Sequence, residues 1–198
     1  MGRPAEEPVL HLFALVSEAL ARATWALLNG DAELGRAVVE DDREIDDQTA
    51  AVEARIWSHI EAERPGADEL RHLVGMLLLL SELERSADLA EHIAQRAVAN
   101  LGADMTPVSR GIVQRMSEVA IEMWRSAAEA YAGGNAQHLE LDEEDEELDI
   151  LHGRLSKEVA TGTMEPPVAA QVTLLARFYE RIGDHAVNLS RRVASFQS

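Results

Sequence analysis

The motif ERxxD occurs twice in this chain, at residues 84–88 and again at residues 180–184. A second acidic pair with i, i+4 spacing precedes each copy, namely Asp42 and Asp46 in the first half, then Asp145 and Asp149 in the second. Residues four apart lie on one face of a helix. The repeated order and spacing therefore predict an internal duplication, in which each half carries two acidic pairs on two neighbouring helices.

Helix-forming residues dominate the chain, and no segment shows the alternation of a strand ladder. Caps, glycines and prolines predict six helices, at about Val9–Leu28, from Asp31 to Glu63, from Asp68 to Asn100, from Thr106-Pro107 to Ala132, from Asn135 to Ala160, and from Pro166 to near the C-terminus. We therefore expect an all-α fold, a tandem duplication of two three-helix bundles. The first domain would span residues 9–102 and the second residues 106–195.

Composition excludes several classes of site. The 198 residues include no cysteine, so only oxygen and imidazole ligands are available to a metal. The net charge is −18, with 18 Lys+Arg against 36 acidic residues, which argues against binding of nucleic acid through its phosphates. The polar segment Met1–Pro8 does not resemble a signal peptide, and no unbroken apolar run is longer than Met76–Leu80. We expect a soluble, cytoplasmic protein that does not insert into a membrane.

The acidic pairs predict two cation sites. Helical wheels place Asp42 and Asp46 at the edge of an apolar stripe, and they place Asp145 and Asp149 at the same edge of the equivalent helix. We expect four carboxylates to converge in each bundle: Asp42, Asp46, Glu84 and Asp88 in the first, and Asp145, Asp149, Glu180 and Asp184 in the second. Crowded carboxylates must either take up a proton or bind a cation. Of the seven histidines, His152 and His185 are the two that could approach the second site.

The helices that carry the ERxxD motifs differ in their surroundings. On the third helix, Glu84 and Asp88 extend a leucine face formed by Leu70, Leu73, Leu77 and Leu80. This face exceeds what one three-helix bundle needs to bury, so we expect it to pack on another bundle, a second copy or a partner. On the sixth helix, Leu174 is assigned to the core, and Glu180 and Asp184 lie among small residues. We therefore expect the second acidic pair to be more exposed than the first.

The segment Phe178–Asn188, FYERIGDHAVN, resembles the signature near the C-terminus of PhoU proteins, and Glu84–Ile93 resembles a weaker copy of it. The resemblance covers nearly the whole chain. It implies metal clusters held by E/DxxxD motifs at the eight carboxylates named above. Oxygen ligands suit magnesium, manganese, calcium or iron, and zinc or nickel can replace these ions. The resemblance also implies a homodimer that restrains phosphate-starvation signalling and phosphate uptake, through a sensor histidine kinase and the phosphate ABC transporter.

Two other interpretations remain open. The chain could be a metal-free helical module for protein–protein interaction, or, less favoured, a ferritin-like carboxylate metal enzyme. A ferritin-like di-iron site needs two Glu-x-x-His motifs, and only Glu69–His72 fits that pattern. The sequence contains no Gly-rich phosphate loop, nucleophile elbow or HExxH motif, so we expect no catalytic residues.

Overall fold

The computed structural model describes residues 6–133 and 138–197, and within these ranges the chain forms helices and no strands. The helices are α1 Glu6–Asn29, α2 Ala32–Glu63, α3 Ala67–Val98, α4 Leu101–Asp104, α5 Pro107–Tyr131, α6 His138–Ala160 and α7 Pro166–Gln197. The predicted all-α fold is confirmed. The short helix α4 was not predicted, and it lies in the linker between the two halves.

Most of the helix boundaries coincide with the capping and turn residues predicted from the sequence. The side chain of Asp31 accepts a hydrogen bond from the backbone N–H of Leu34, which caps α2. Thr106 caps α5 in the same way and is followed by proline in the first turn. The predicted cap at Asp68 is wrong, because α3 begins one residue earlier, after Gly66, without a side-chain cap. The predicted cap at Asn135 lies outside the described residues.

Helices α1, α2 and α3 pack on one another, and α5, α6 and α7 form a corresponding group. Contacts between α3 and α7 and between α1 and α5 join the two groups. The equivalent helices of the duplication therefore meet across the centre of the molecule. The acidic pairs of α2 and α3 and those of α6 and α7 lie on separate bundles.

Helix α1 provides much of the core, including Leu12, Phe13, Leu20 and Leu27, which are buried. By length and composition alone, its segment Glu7–Asn29 is apolar enough to cross a membrane. In this fold the helix packs against α2, α3 and α5. Its apolar residues are interrupted by polar ones at helical spacing, so no long unbroken run was visible in the sequence.

The leucine face predicted for α3 is only partly correct. Leu73 and Leu80 are buried in the core, whereas Val74 and Leu78 are exposed together with Leu70. We call the row Leu70, Val74 and Leu78 the α3 apolar stripe. It shares Leu70 with the predicted face, but Val74 and Leu78 each lie one position beyond the predicted Leu73 and Leu77.

The core assignment of α7 also needs correction. Leu174 is exposed and Tyr179 is fully buried. The Tyr179 hydroxyl lies 2.6 Å from Thr24 Oγ1 of α1, and Ser117 Oγ of α5 donates to the same Thr24 oxygen at 3.0 Å. Three buried hydroxyl groups thus connect helices of both bundles. Their mutual hydrogen bonds offset the cost of burying them.

Candidate metal centre

The clearest cluster of possible ligands lies where α2 and α3 run side by side in the first bundle. One carboxylate oxygen from each of Asp42, Asp46 and Asp88 lies within 4.8 Å of the other two. Asp42 and Asp46 are one turn apart on α2, and Asp88 comes from α3. The structure therefore brings together three of the four carboxylates predicted for this bundle.

The electrostatics of this cluster show that its negative charge is poorly compensated. Partial burial, followed by repulsion from Asp46, Glu91, Asp88 and Glu84, raises the pKa of Asp42 to about 7. Burial and the neighbouring Asp88 and Asp47 likewise raise the pKa of Asp46. The surroundings of these aspartates favour either a proton or a bound cation.

Glu84, the fourth predicted ligand, shares this electrostatic environment. Its pKa is raised by burial first and then by Asp46, Asp88 and Glu53, while Arg85 acts weakly in the opposite direction. Glu84 therefore faces the same cluster, although none of its oxygens belongs to the group of three.

Two further acidic residues, Glu91 and Glu53, face the cluster and were missed in the sequence. Glu91 repels Asp42, and Glu53 repels Glu84. The signal was present in the spacing, because Glu91 follows Glu84 by seven residues and Glu53 follows Asp46 by seven. Seven residues are two helical turns, which returns a side chain to the same face. The predicted ligand pairs are all spaced by four residues, so they do not include these two glutamates.

The second bundle has a different arrangement. Burial, then repulsion from Asp184 and Asp149, raises the pKa of Asp145, while Arg191 lowers it. These three aspartates therefore face one another. Among the residues that the structure describes, no group of three in this bundle meets the same 4.8 Å limit. The second predicted site is assembled less closely than the first.

Glu180, the remaining predicted ligand of the second bundle, contacts basic groups. Its Oε2 lies 3.7 Å from Arg177 Nη1 and 3.9 Å from His152 Nε2. That oxygen is buried but accepts no hydrogen bond. The expectation that the second pair is the more exposed is wrong for the glutamates, because Glu180 is partly buried whereas Glu84 is exposed.

Of the two candidate histidines, only His152 lies at the acidic face. His185 is buried between α3 and α7, where its Nδ1 is 2.8 Å from Ser86 Oγ. The Ser86 hydroxyl donates to the backbone oxygen of Glu82, so we assign the proton of this contact to His185 Nδ1. His185, which directly follows the second ERxxD motif, therefore contributes to the contact between the two bundles.

Three features define the class of protein: a duplicated all-helical fold, acidic pairs repeated in each half, and an exposed carboxylate cluster. A family model described as "PhoU domain" matches residues 9–97 and again residues 113–193. The chain belongs to the PhoU family, and the resemblance seen in its sequence is confirmed.

Relatives and solved structures agree with this assignment. The chain is 33% identical over 183 residues to the phosphate-specific transport system accessory protein PhoU homolog 2 of Mycobacterium tuberculosis, covering 90% of this chain and 86% of that protein. It is 33% identical over 182 residues to the corresponding PhoU homolog of Aquifex aeolicus, covering 89% and 81%. The crystal structure of PhoU from Pseudomonas aeruginosa superposes with a TM-score of 0.88 at 25% identity, covering 96% of this chain and 94% of that one. The two curated relatives are named as accessory proteins of the phosphate-specific transport system.

Proposed function

We propose that this protein is an accessory regulator of phosphate uptake and phosphate-starvation signalling. It acts in the cytoplasm through contacts with a sensor histidine kinase and with the phosphate ABC transporter. The support for the transport role is the family membership, since relatives that match nearly the whole chain are named as accessory proteins of the phosphate-specific transport system.

We further propose that the protein binds metal ions at the acidic faces of its bundles. The observation that carries this proposal is the group formed by Asp42, Asp46 and Asp88, whose oxygens lie within 4.8 Å of one another. In the first bundle Glu84 would join them. In the second bundle the ligands would come from Asp145, Asp149, Asp184 and Glu180.

The donor atoms fit such an ion. Carboxylate oxygens suit magnesium, manganese, calcium or iron, and zinc or nickel can replace these ions in the same geometry. Asp42 is repelled by neighbouring carboxylates in the folded protein. A bound cation would offset this repulsion. A bound metal would supply positive charge that holds α2 against α3.

The contact with protein partners is best supported at the α3 apolar stripe. Leu70, Val74 and Leu78 are all large, exposed and one helical turn apart. A row of exposed apolar side chains on an acidic protein is typical of a surface that another protein covers. We propose that the kinase or the transporter contacts this stripe, and that two copies of the chain form a dimer through another surface.

Elemental analysis of the protein, purified without a metal-affinity tag, tests the metal proposal. We expect metal in the wild type and a reduced content in a variant that carries Asp42→Asn, Asp46→Asn and Asp88→Asn. Glu40→Gln, an exposed acidic residue on the same helix, serves as the control. Equal metal content in all three proteins would contradict the first site.

Co-purification with the kinase and the transporter tests the partner proposal separately. We expect Val74→Glu with Leu78→Glu to lose at least one of the two partners while the circular dichroism spectrum stays unchanged. Size-exclusion chromatography of the same variant shows whether the stripe instead joins two copies. Retention of both partners would exclude this surface.

The metal-free interaction module remains the second candidate, and one observation favours it. Because the pKa of Asp42 is raised to about 7, a proton can relieve part of the repulsion at neutral pH without any metal. A protein of this kind would show no metal by elemental analysis and no change in melting temperature on addition of a chelator. It would still bind its partners.

A further inference from the structure

The duplication places different residues at one equivalent position of the two acidic faces. Thr49 follows Asp46 by three residues on α2, and His152 follows Asp149 by three residues on α6. Glu180 lies near His152, and Glu84 is the residue equivalent to Glu180 in the duplication. This position is therefore a place where the two faces differ in the chemistry of a potential ligand.

His152 lies close to a carboxylate of the second face. Its Nε2 is 3.9 Å from Glu180 Oε2, and the histidine is only partly exposed. The same oxygen is buried without a hydrogen-bond donor. Two ligand atoms separated by this distance are close enough to bind one cation of ordinary size, for which ligand–metal distances are about 2.0–2.2 Å. Arg177 lies 3.7 Å from this oxygen, but its side chain is exposed and can move away.

Thr49 occupies the corresponding place in the first bundle and offers oxygen. It is only 4% exposed, and its Oγ1 has no hydrogen-bond partner. A buried hydroxyl group without a partner is unusual. Position 49 is equivalent to position 152, which lies near Glu180, so we expect this hydroxyl to be what the first face offers in place of the imidazole.

A second difference reinforces the first. Glu91 repels Asp42 in the first bundle, whereas the equivalent residue of α7 is the buried Val187. Near Asp145 the second face instead includes Arg191. The charged groups that act on Asp42 are all acidic, whereas Arg191 offsets part of the repulsion from Asp184, Asp149 and Asp142 at Asp145. The second face also offers an imidazole, that of His152.

We propose that His152 is a ligand of the second cation site, so that the two bundles select different metals. This inference rests on the proposed metal binding. Oxygen-only sites suit magnesium, manganese and calcium, whereas an imidazole ligand favours zinc, nickel or iron. The first bundle thus takes a hard divalent cation. The second takes a transition metal held by the imidazole of His152 and by carboxylates.

The other histidine near the second motif does not compete for this role. His185 is buried between α3 and α7, and its Nδ1 is engaged with Ser86. Glu82 Oε2 also lies 3.9 Å from this nitrogen. A ligand at that place would have to break the contact between the bundles. His152 is the histidine that remains available at the acidic face.

Calorimetric titration of the full-length, chelator-treated protein tests the proposal. Zn²⁺ and Mn²⁺ are titrated separately into the wild type, into His152→Thr and into Thr49→His. We expect His152→Thr to weaken one Zn²⁺ site by roughly tenfold or more, since losing even a hydrogen-bond partner of a metal ligand typically costs that much, while Mn²⁺ binding changes little. Thr49→His should strengthen Zn²⁺ binding at the first face.

Histidine NMR supplies a readout that does not depend on affinity. In protein labelled with ¹⁵N-histidine, the Nε2 resonance of His152 is identified as the one that is absent from His152→Thr. One equivalent of Zn²⁺ should shift this resonance in the wild type. If His152→Thr keeps the Zn²⁺ affinity of the wild type and no such resonance shifts, His152 is not a ligand, although the proposed metal binding stands. If the wild type binds neither ion, the metal binding itself is wrong, and this inference fails with it.

Discussion

Ser86 Oγ lies 2.8 Å from Nδ1 of His185, and this hydrogen bond joins α3 of the first bundle to α7 of the second. Both residues are buried. Burial lowers the pKa of His185, although Glu82 opposes the change. Ser86 lies within the first ERxxD motif and His185 directly follows the second. The motifs thus place carboxylates outside and the contact between bundles inside.

Removing the Ser86 hydroxyl should weaken this contact. We expect Ser86→Ala to reduce the free energy of unfolding by about 1 kcal/mol, because the His185 N–H loses its acceptor in a buried place. That corresponds to a fall in melting temperature of about 2–4 °C. Ser156→Ala, an exposed serine on α6, is the control. Equal melting temperatures for the two variants would show that the bond contributes nothing to stability.

The stability of the metal-free protein should depend on the protonation of Asp42. Its pKa is raised from 3.8 to about 7, so the folded protein retains a proton that the unfolded chain has lost. The free energy of unfolding therefore falls as the pH rises through this range and stays low above it. We expect Asp42→Asn to stabilise the metal-free protein at pH 8 by about 1 kcal/mol, allowing for solvent screening, and to give no gain at pH 4.

Chemical denaturation of Asp42→Asn, Glu40→Gln and the wild type at both pH values measures this effect. A gain of the same size at pH 4 and pH 8 would mean that Asp42 ionisation is not the cause. An equal gain in Glu40→Gln would mean that any reduction of the net negative charge suffices.

One glycine of the linker helix and one of α5 should respond in opposite directions to alanine. A Cβ at Gly102 would lie 1.9 Å from the backbone oxygen of Leu27, so the linker helix α4 would have to move. A Cβ at Gly111, within α5, would meet nothing within 4 Å. We expect Gly102→Ala to destabilise the protein by roughly 1–3 kcal/mol. Gly111→Ala should stabilise it by about 0.5–1 kcal/mol through helix propensity. Thermal denaturation of both variants measures these changes. A Gly102→Ala variant as stable as the wild type would contradict the close approach of α4 to α1.

Two neighbouring residues of α3 lie in different surroundings, one in the core and the other on the proposed partner surface. Leu73 is 3% exposed and Val74 is 42% exposed. We expect Leu73→Glu to unfold the protein or to lower its melting temperature strongly, since it buries an unpaired charge. Val74→Glu should change the melting temperature by less than about 2 °C. Folded Leu73→Glu protein of wild-type stability would show that this part of the bundle packs differently.

Much of the fold was predictable from the sequence because its signals are local. Asp31, Thr106 and Pro107 fix two helix starts through caps, and the spacing of the acidic pairs revealed the duplication. The short helix α4 was missed because its four residues are too few to show a periodic pattern. The predicted start of α3 failed because Asp68 resembles a cap, whereas the backbone of Gly66 already begins the turn.

The proximity of three candidate carboxylates was predictable from the sequence, whereas their surroundings were less so. The spacing of Asp42, Asp46 and Asp88 was enough to place them on facing helices. The burial of Leu73 and the exposure of Val74 depend on which rows of α3 the other helices cover, and a helix that is apolar nearly all round does not reveal this. The pairing of Ser86 with His185 joins residues of different bundles, and no local spacing encodes it.

The central claim, that the carboxylates of the first bundle bind a cation, is tested most directly by titrating Mn²⁺ into the chelator-treated protein. Two proteins are compared, the wild type and the variant with Asp42→Asn, Asp46→Asn and Asp88→Asn. We predict that the variant loses Mn²⁺ binding at the first bundle, and that saturating Mn²⁺ raises the melting temperature of the wild type more than that of the variant. If both proteins bind the same amount of Mn²⁺ with the same affinity, the cluster at α2 and α3 is not a metal site.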